Sequence, residues 1–209
     1  MNLFGERKIK IAEDAWHLPS FVLMHDKELS EAIRQITTTS PLRNMVTRNG
    51  YSMSVAMTNC GEAGWVTDKS GYRYQQTDPA SGTSWPSMPD LFRELARTAA
   101  NEAGFFAFRP DACLINQYRP EAKMSLHQDK DEKDFGAPIV SFSLGLPAKF
   151  MFGGLKRTDP IKRLPLAHGD VVVWGGAARL NFHGVAPVKP GEHPLFGNTR
   201  INLTFRKAL

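Results

Sequence analysis

KMSLHQDKDE, residues 123–132, can be read in two ways. As a surface loop it is ordinary solvated polarity. As a strand its side chains alternate between faces, so that His127, Asp129 and Asp131 all point the same way. The surrounding sequence decides between the two. Beyond Gly104 come ACLINQY (112–118), PIVSFSLGL (138–146), KFMFGG (149–154), RLPL (163–166), DVVVWGG (170–176), RLNFHGV (179–185) and TRINLTFR (199–206). These runs are short, are broken by Gly, Pro, Asp and charged turns, and recur about every 10–15 residues, the mark of a sandwich or barrel. In that company KMSLHQD is a strand. The fold class predicted is mainly β with flanking helices (α+β), built on a double-stranded β-helix, or jelly-roll, core.

Two helices are predicted outside that core. DKELSEAIRQI (26–36) places Leu29, Ile33 and Ile36 at helical spacing, with Asp26 as N-cap. PDLFRELARTAANEAG (89–104) has Pro89 near its start, Leu91, Leu95 and Ala99 on one face, and Gly104 as a stop. Between them YSMSVAMT alternates Tyr51, Met53, Val55 and Met57 against small polar residues, as a half-exposed strand does. The following Gly-, Ser-, Thr- and Pro-rich stretch carries Trp65, Tyr72, Tyr74 and Trp85, but little aliphatic material for a core of its own. It reads as a recognition flap. The division expected is an N-terminal extension with a helix (1–40), a lid (41–87) and the jelly-roll core (88–209).

Lys and Arg number 26 against 21 Asp and Glu, a formal charge of +5 that favours polyanionic partners without singling one out. The opening MNLFGERKIKIAEDAW has no apolar stretch behind its charges, and no run approaches the roughly 18 residues of a membrane span. Cys60 and Cys113 have no CxxC spacing and read as reduced thiols. A cytoplasmic protein without a membrane partner is expected, and no obligate protein partner is evident.

His127 and Asp129 on one strand face need a third ligand to make a metal site. His17, His25, His168, His183 and His193 are available, and His183 lies in a late strand that a rolled sheet can bring beside the first. Two histidines and one carboxylate form the facial triad of non-haem Fe(II) oxygenases, which leaves coordination positions for a cosubstrate and O₂. Alone, an H-x-D pair is weak, and a solvated strand is the ordinary explanation. The C-terminal strand strengthens it. Arg200, Asn202, Thr204 and Arg206 line one face of TRINLTFR, and Ile201, Leu203 and Phe205 the other. If the polar face points inward, two arginines need anions, and a dicarboxylate such as 2-oxoglutarate supplies both. Asn116 and Tyr118 of ACLINQY offer further hydrogen bonds.

These residues together resemble the AlkB family of Fe(II)/2-oxoglutarate-dependent alkylation-repair dioxygenases. SVAMTNCG (54–61), PDACLIN (110–116), SLHQDKDE (125–132), SLGLPA (143–148), FGGLKR (152–157), HGDVVVWGG (168–176) and NLTFR (202–206) all look like its bacterial branch. The resemblance implies His127, Asp129 and His183 as iron ligands. It implies Arg200 and Arg206 as partners of the 2-oxoglutarate carboxylates, with Asn116, Tyr118 and Asn202 assisting. Residues 41–87 become a nucleotide-recognition lid, with Trp65 stacking on the methylated base and Tyr72 beside it. Asp131 falls where a carboxylate meets the base's exocyclic amino group, Arg157 on the substrate side, and Met57 and Ser141 at pocket positions.

The activity implied is oxidative demethylation of N-alkylated bases of the 1-methyladenine and 3-methylcytosine type. It couples 2-oxoglutarate decarboxylation to methyl hydroxylation and formaldehyde release, in alkylated DNA and also RNA, with the target base flipped out. A 2-oxoglutarate-dependent hydroxylase of protein or small molecules would use the same core. The aromatic, basic flap argues against it, since such substrates need no base stacking. A purely binding or structural β-domain would have no use for both a triad and paired arginines.

Overall fold

The computed structural model describes residues 8–209; the first residues, read above as carrying no leader, lie outside the described part. Two short strands, β1 (Ile9–Ala12) and β2 (Ala15–Leu18), lead through a 3-10 turn at Leu23–His25 into helix α1 (Asp26–Thr39). Then come β3 (Arg43–Val46), β4 (Ser52–Gly61), β5 (Gly64–Asp68), β6 (Gly71–Gln75) and helix α2 (Asp90–Glu102). The remainder is β: β7 (Ala112–Tyr118), β8 (Met124–His127), β9 (Ile139–Gly145), β10 (Ala148–Phe152), β11 (Lys162–Leu166), β12 (Val171–Trp174), β13 (His183–Val185) and β14 (Arg200–Arg206).

The strands form an eight-stranded sheet in the order β1-β2-β12-β9-β14-β7-β4-β3, a four-stranded sheet in the order β11-β10-β13-β8, and the separate hairpin β5-β6. The central strands of the large sheet obey their alternation closely. Val171 and Val173 of β12, Val140, Phe142 and Leu144 of β9, and Ile201, Leu203 and Phe205 of β14 pack outward under the helices, with Leu29, Ile33, Ile36 and Phe92. Val172, Trp174, Ile139 and Leu114 turn inward to meet Phe150, Phe152 and Val185 of the smaller sheet. This mainly β jelly roll agrees with the predicted class, and among the described residues no helix is long and apolar enough to cross a membrane. Cys60 and Cys113 are free, buried and directly opposed on β4 and β7.

Several local expectations differ from what the chain adopts. Helix α1 has His25 as its N-cap, because the 3-10 turn feeds the helix one residue earlier; Asp26 is its first helical residue and lies 3.4 Å from His168 Nε2. The buried face of α2 is Phe92, Ala96, Ala99 and Ala100, with Leu91 and Leu95 at its margin. Small alanines let that helix approach the sheet closely, so the face turns from the bulkier leucines. Within the expected N-terminal extension, β2 pairs with β12 of the core from Val171↔Leu18 to Trp174↔Ala15. The part of 41–87 that stands apart is also smaller than expected, because β4 pairs with β7 in the large sheet. Only β5, β6 and the following loop lie outside it.

Candidate metal centre and cosubstrate pocket

Strand β8 ends at His127, so Asp129 lies in the loop beyond it. Strand alternation therefore does not bring the two together; the path of the loop does. Pairing of β13 with β8 sets His183 directly opposite His127. Gly184 permits this approach, because a Cβ there would lie 2.6 Å from the Met124 carbonyl oxygen. The imidazole rings are 4.4 Å apart between centroids. His127 Nε2 lies 3.6 Å from Asp129 Oδ1, and His183 Nε2 lies 3.7 Å from Asp129 Oδ2. His127 Nδ1 donates to the Ser125 carbonyl and His183 Nδ1 to that of Asn181, each at 2.9 Å. A carbonyl can only accept, so both rings carry their proton on Nδ1 and turn the Nε2 lone pair toward the carboxylate.

The charges suit a cation. Burial pushes the His183 pKa down to about 4, and the neighbouring His127 adds to the effect, so the ring stays neutral. Burial works to raise the Asp129 pKa, but the Arg206 guanidinium outweighs it and holds the carboxyl well below the usual range. One anionic oxygen ligand and two neutral nitrogen ligands, all within 4.8 Å of one another, are the donor set of a mononuclear Fe(II) site with open positions. The His127 side chain is 39% exposed and that of His183 only 6%, so the cluster opens on the His127 side.

The inward face of β14 lines a cavity beside this cluster, together with Asn116, Tyr118, Ser141 and Trp174. Arg200 is 1% exposed. Its Nη2 donates to Ser143 Oγ at 3.1 Å and its guanidinium lies over the Tyr118 ring at 4.9 Å. Nε and Nη1 have no partner among the described residues. A buried cation with two orphan donors fits an anion entering the cavity, and a carboxylate suits its planar fork. Arg206 differs. Its Nε and Nη2 both donate to Asp129 Oδ2, at 2.9 and 2.7 Å, and Nε lies 3.3 Å from Glu132. The two arginines expected to meet the cosubstrate both line the cavity, Arg200 with free donors and Arg206 with its guanidinium engaged by a candidate metal ligand. Asn202 is fully occupied, donating to Ser141 Oγ and the Phe142 carbonyl and accepting from Asn116 and Thr204.

Of the expected substrate residues, Trp65 and Tyr72 stack on the β5-β6 hairpin, with centroids 5.6 Å apart and planes 20° from parallel. Trp65 Nε1 donates to Asp131 Oδ2 at 2.8 Å. Arg157 is exposed in the loop after β10, with its guanidinium 4.9 Å over the Phe182 ring. Ser141 lines the cavity; Met57 stands opposite Asn116 on the same face of the sheet and is fully buried among apolar side chains.

Other residues have roles that the sequence reading left unassigned. Glu132 is buried, accepts from Tyr74 Oη of β6 at 2.7 Å and pairs with Arg179 at 3.1 Å. Arg179 also donates to the Asp129 carbonyl at 2.8 Å. Asn59 clasps Trp65 through both its backbone N–H and its carbonyl at 3.0 Å. Trp174 has a buried Nε1 without a partner among the described residues, and its ring lies 4.9 Å from that of His183. Glu132 sits in the opening stretch itself, but beyond the strand end, where face parity gives no signal.

Residues 14–206 match the profile of the 2OG-Fe(II) oxygenase superfamily. The chain is 57% identical over 198 residues to the alpha-ketoglutarate-dependent dioxygenase AlkB of Escherichia coli K12, covering 95% of this chain and 92% of that one. It is 34% identical over 161 residues to the DNA N(6)-methyladenine demethylase ALKBH1C of Arabidopsis thaliana, covering 65% of this chain and 35% of that one. The solved structure of OsALKBH1 superposes with a TM-score of 0.82 at 30% identity, over 96% of this chain and 99% of that one.

Proposed function

We propose that this chain, which belongs to the 2OG-Fe(II) oxygenase superfamily and within it to the AlkB dioxygenases, demethylates 1-methyladenine and 3-methylcytosine in DNA and RNA. It is an Fe(II)/2-oxoglutarate-dependent dioxygenase that uses O₂, and oxidative demethylation of nucleic acid is its activity. With such a substrate we take it to be a cytoplasmic enzyme.

In this reading His127, Asp129 and His183 hold Fe(II). Arg200 takes the far carboxylate of 2-oxoglutarate on its two free donors, with Asn116, Tyr118 and Asn202 shaping the pocket. Arg206 holds Asp129 ionised and in place, and lines the same cavity. When bound, iron and 2-oxoglutarate together activate O₂, so that decarboxylation to succinate and CO₂ accompanies hydroxylation of the methyl group, which leaves as formaldehyde. The protein's own part is to orient the base and exclude water.

The observation that carries the substrate assignment is the bond between Trp65 and Asp131, two residues from Asp129. The methylated nitrogens lie on the Watson–Crick edge, so the nucleotide must leave the stack at a cost of a few kcal/mol. Stacking on an aromatic ring returns about 1–3 kcal/mol per base, a role for Trp65 with Tyr72 beside it on the β5-β6 lid. Both methylated bases are cations, and Asp131 offers them a carboxylate at the edge of that ring. Arg157 is assigned to the substrate side, and Ser141 to the wall of the cavity.

The test is incubation of the iron-loaded protein and 2-oxoglutarate with single-stranded DNA and RNA oligonucleotides carrying either lesion. Formaldehyde release, with the corresponding mass loss from the oligonucleotide, is the result expected. Succinate formed while the oligonucleotides stay unchanged would overturn the assignment in favour of a protein or small-molecule hydroxylase.

A further inference from the structure

A nucleic acid needs its backbone held as well as its base, because phosphate contacts supply most of the affinity for a polyanion. Outside the cavity described above, a cleft of about 500 Å³ opens at the foot of the lid. Arg93 and Arg97 reach it from α2, Arg109 from the segment before β7, Lys207 from just past β14, and Glu62 from the turn between β4 and β5. The sixth charged group, Asp111, is silenced: it is buried and accepts from Lys207 Nζ and the backbone N–H groups of Ala208 and Leu209.

The cations are not equally free. Arg93 Nη1 donates to Asp90 at 2.6 Å, and Lys207 is tied to Asp111. Arg97 and Arg109 are exposed, and among the described residues neither has an ion-pair or side-chain hydrogen-bond partner. The two unpaired guanidiniums outnumber the exposed Glu62 carboxylate on one concave surface, so the local field is positive and focused by the cleft walls. That surface is near the base site. Glu62 is three residues from Trp65, which limits their Cα separation to about 11 Å.

We propose that this cleft is a second anchor for a single nucleic-acid strand, in which Arg97 and Arg109 bind phosphates beyond the two that flank the nucleotide held by the lid. Arg93 and Lys207, paired with Asp90 and Asp111, wall the path. Contacts of this kind carry no sequence information; they give affinity and processive contact with long substrates while the base site selects the lesion. The inference rests on the nucleic-acid reading of the site.

The experiment compares the parent with the double variant Arg97→Gln/Arg109→Gln. Both residues are exposed and unpartnered, so folding is not at stake. Anisotropy with a labelled, unmodified single-stranded oligonucleotide, without added iron, should show binding weakened about tenfold at low salt. The slope of log affinity against log salt should fall by about 1.4, at about 0.7 per phosphate contact on a single strand. Turnover of a methylated trinucleotide, too short to reach the cleft, should be unchanged. Equal affinity and equal salt slope in parent and variant would overturn the cleft, as would an equal loss of trinucleotide turnover. A parent that binds the long oligonucleotide but releases no formaldehyde from the trinucleotide would sink the demethylation reading instead, while the binding comparison still decides the cleft.

Discussion

The indole N–H of Trp65 donates to the carboxylate of Asp131 at 2.8 Å, joining the lid hairpin to the loop that carries Asp129. A residue expected to read the base therefore also fixes the Trp65 ring, the stacking platform of the proposed function. One carboxylate oxygen holds the tryptophan, and the other is the one that the proposal assigns to a cationic base.

The two duties of Asp131 separate by substitution. Asp131→Asn keeps an oxygen acceptor for the indole but removes the charge, so selectivity for 1-methyladenine over a neutral methylated base should fall about tenfold or more, a charge-assisted hydrogen bond being worth about 1.5–3 kcal/mol. Asp131→Ala should lose that selectivity and raise KM for every base, because Trp65 is released. Iron affinity, measured by titration, should match the parent in both variants; a loss of iron would count against this division.

Arg200 is a buried charge with two orphan donors, so the protein without cosubstrate carries an uncompensated desolvation cost. Arg200→Met should leave the melting temperature of the ligand-free protein equal to or above that of the parent. The parent should gain about 2.7 kcal/mol of stability at a 2-oxoglutarate concentration of one hundred times Kd, and the variant essentially none. Thermal melts with and without 2-oxoglutarate decide this, and a large destabilisation of ligand-free Arg200→Met would refute it.

The hydrogen bond from Tyr74 to Glu132 ties strand β6 to the buried pairs with Arg179 and Arg206. Tyr74→Phe should cost about 1 kcal/mol and speed amide exchange across the β5-β6 hairpin while iron binding is retained. Glu132→Ala leaves two guanidiniums short of an anion, and breaking a buried pair in this way costs about 3–5 kcal/mol. Its urea midpoint should drop far more than that of Tyr74→Phe; similar values for the two would contradict the network.

Asp170 offers a pH-dependent element remote from the metal cluster. Burial raises its pKa, but hydrogen bonds from His17 and from the Ser20 and Ala167 backbones outweigh burial, and the carboxyl is held below its ordinary value. A carboxylate depressed in the folded state contributes stability that is present above its unfolded pKa of about 3.9. That contribution is lost as pH falls through the lower folded value. Asp170→Asn should therefore be less stable than the parent near neutrality, and the gap should narrow as pH drops below about 4. Urea midpoints across that range provide the measurement, and a gap that widens in acid would reverse the sign.

The sequence by itself determined the local periodicities and the inventory of chemical groups. TRINLTFR alternates arginine, asparagine and threonine against isoleucine, leucine and phenylalanine, and one face is lined by the cavity while the other lies under the helices. ACLINQY and DVVVWGG behave likewise, because the period of a strand is a property of its own backbone. His127 and His183 were recognisable as a pair once two late strands were taken to lie side by side.

Tertiary structure decided what depends on partners distant in the chain. Asp129 reaches the histidines after its strand has ended, by a loop path no periodicity describes. Arg200 is left open and Arg206 engaged, although they share a face, because Asp129 and Glu132 stand beside only one of them. Met57 is buried while Asn116, opposite it on the same face, lines the cavity, and β2 joins the large sheet from the segment expected as an N-terminal extension. Ion pairing and strand order are set by which surfaces meet after the chain closes, and that information resides in the assembled sheets rather than in any single run of residues.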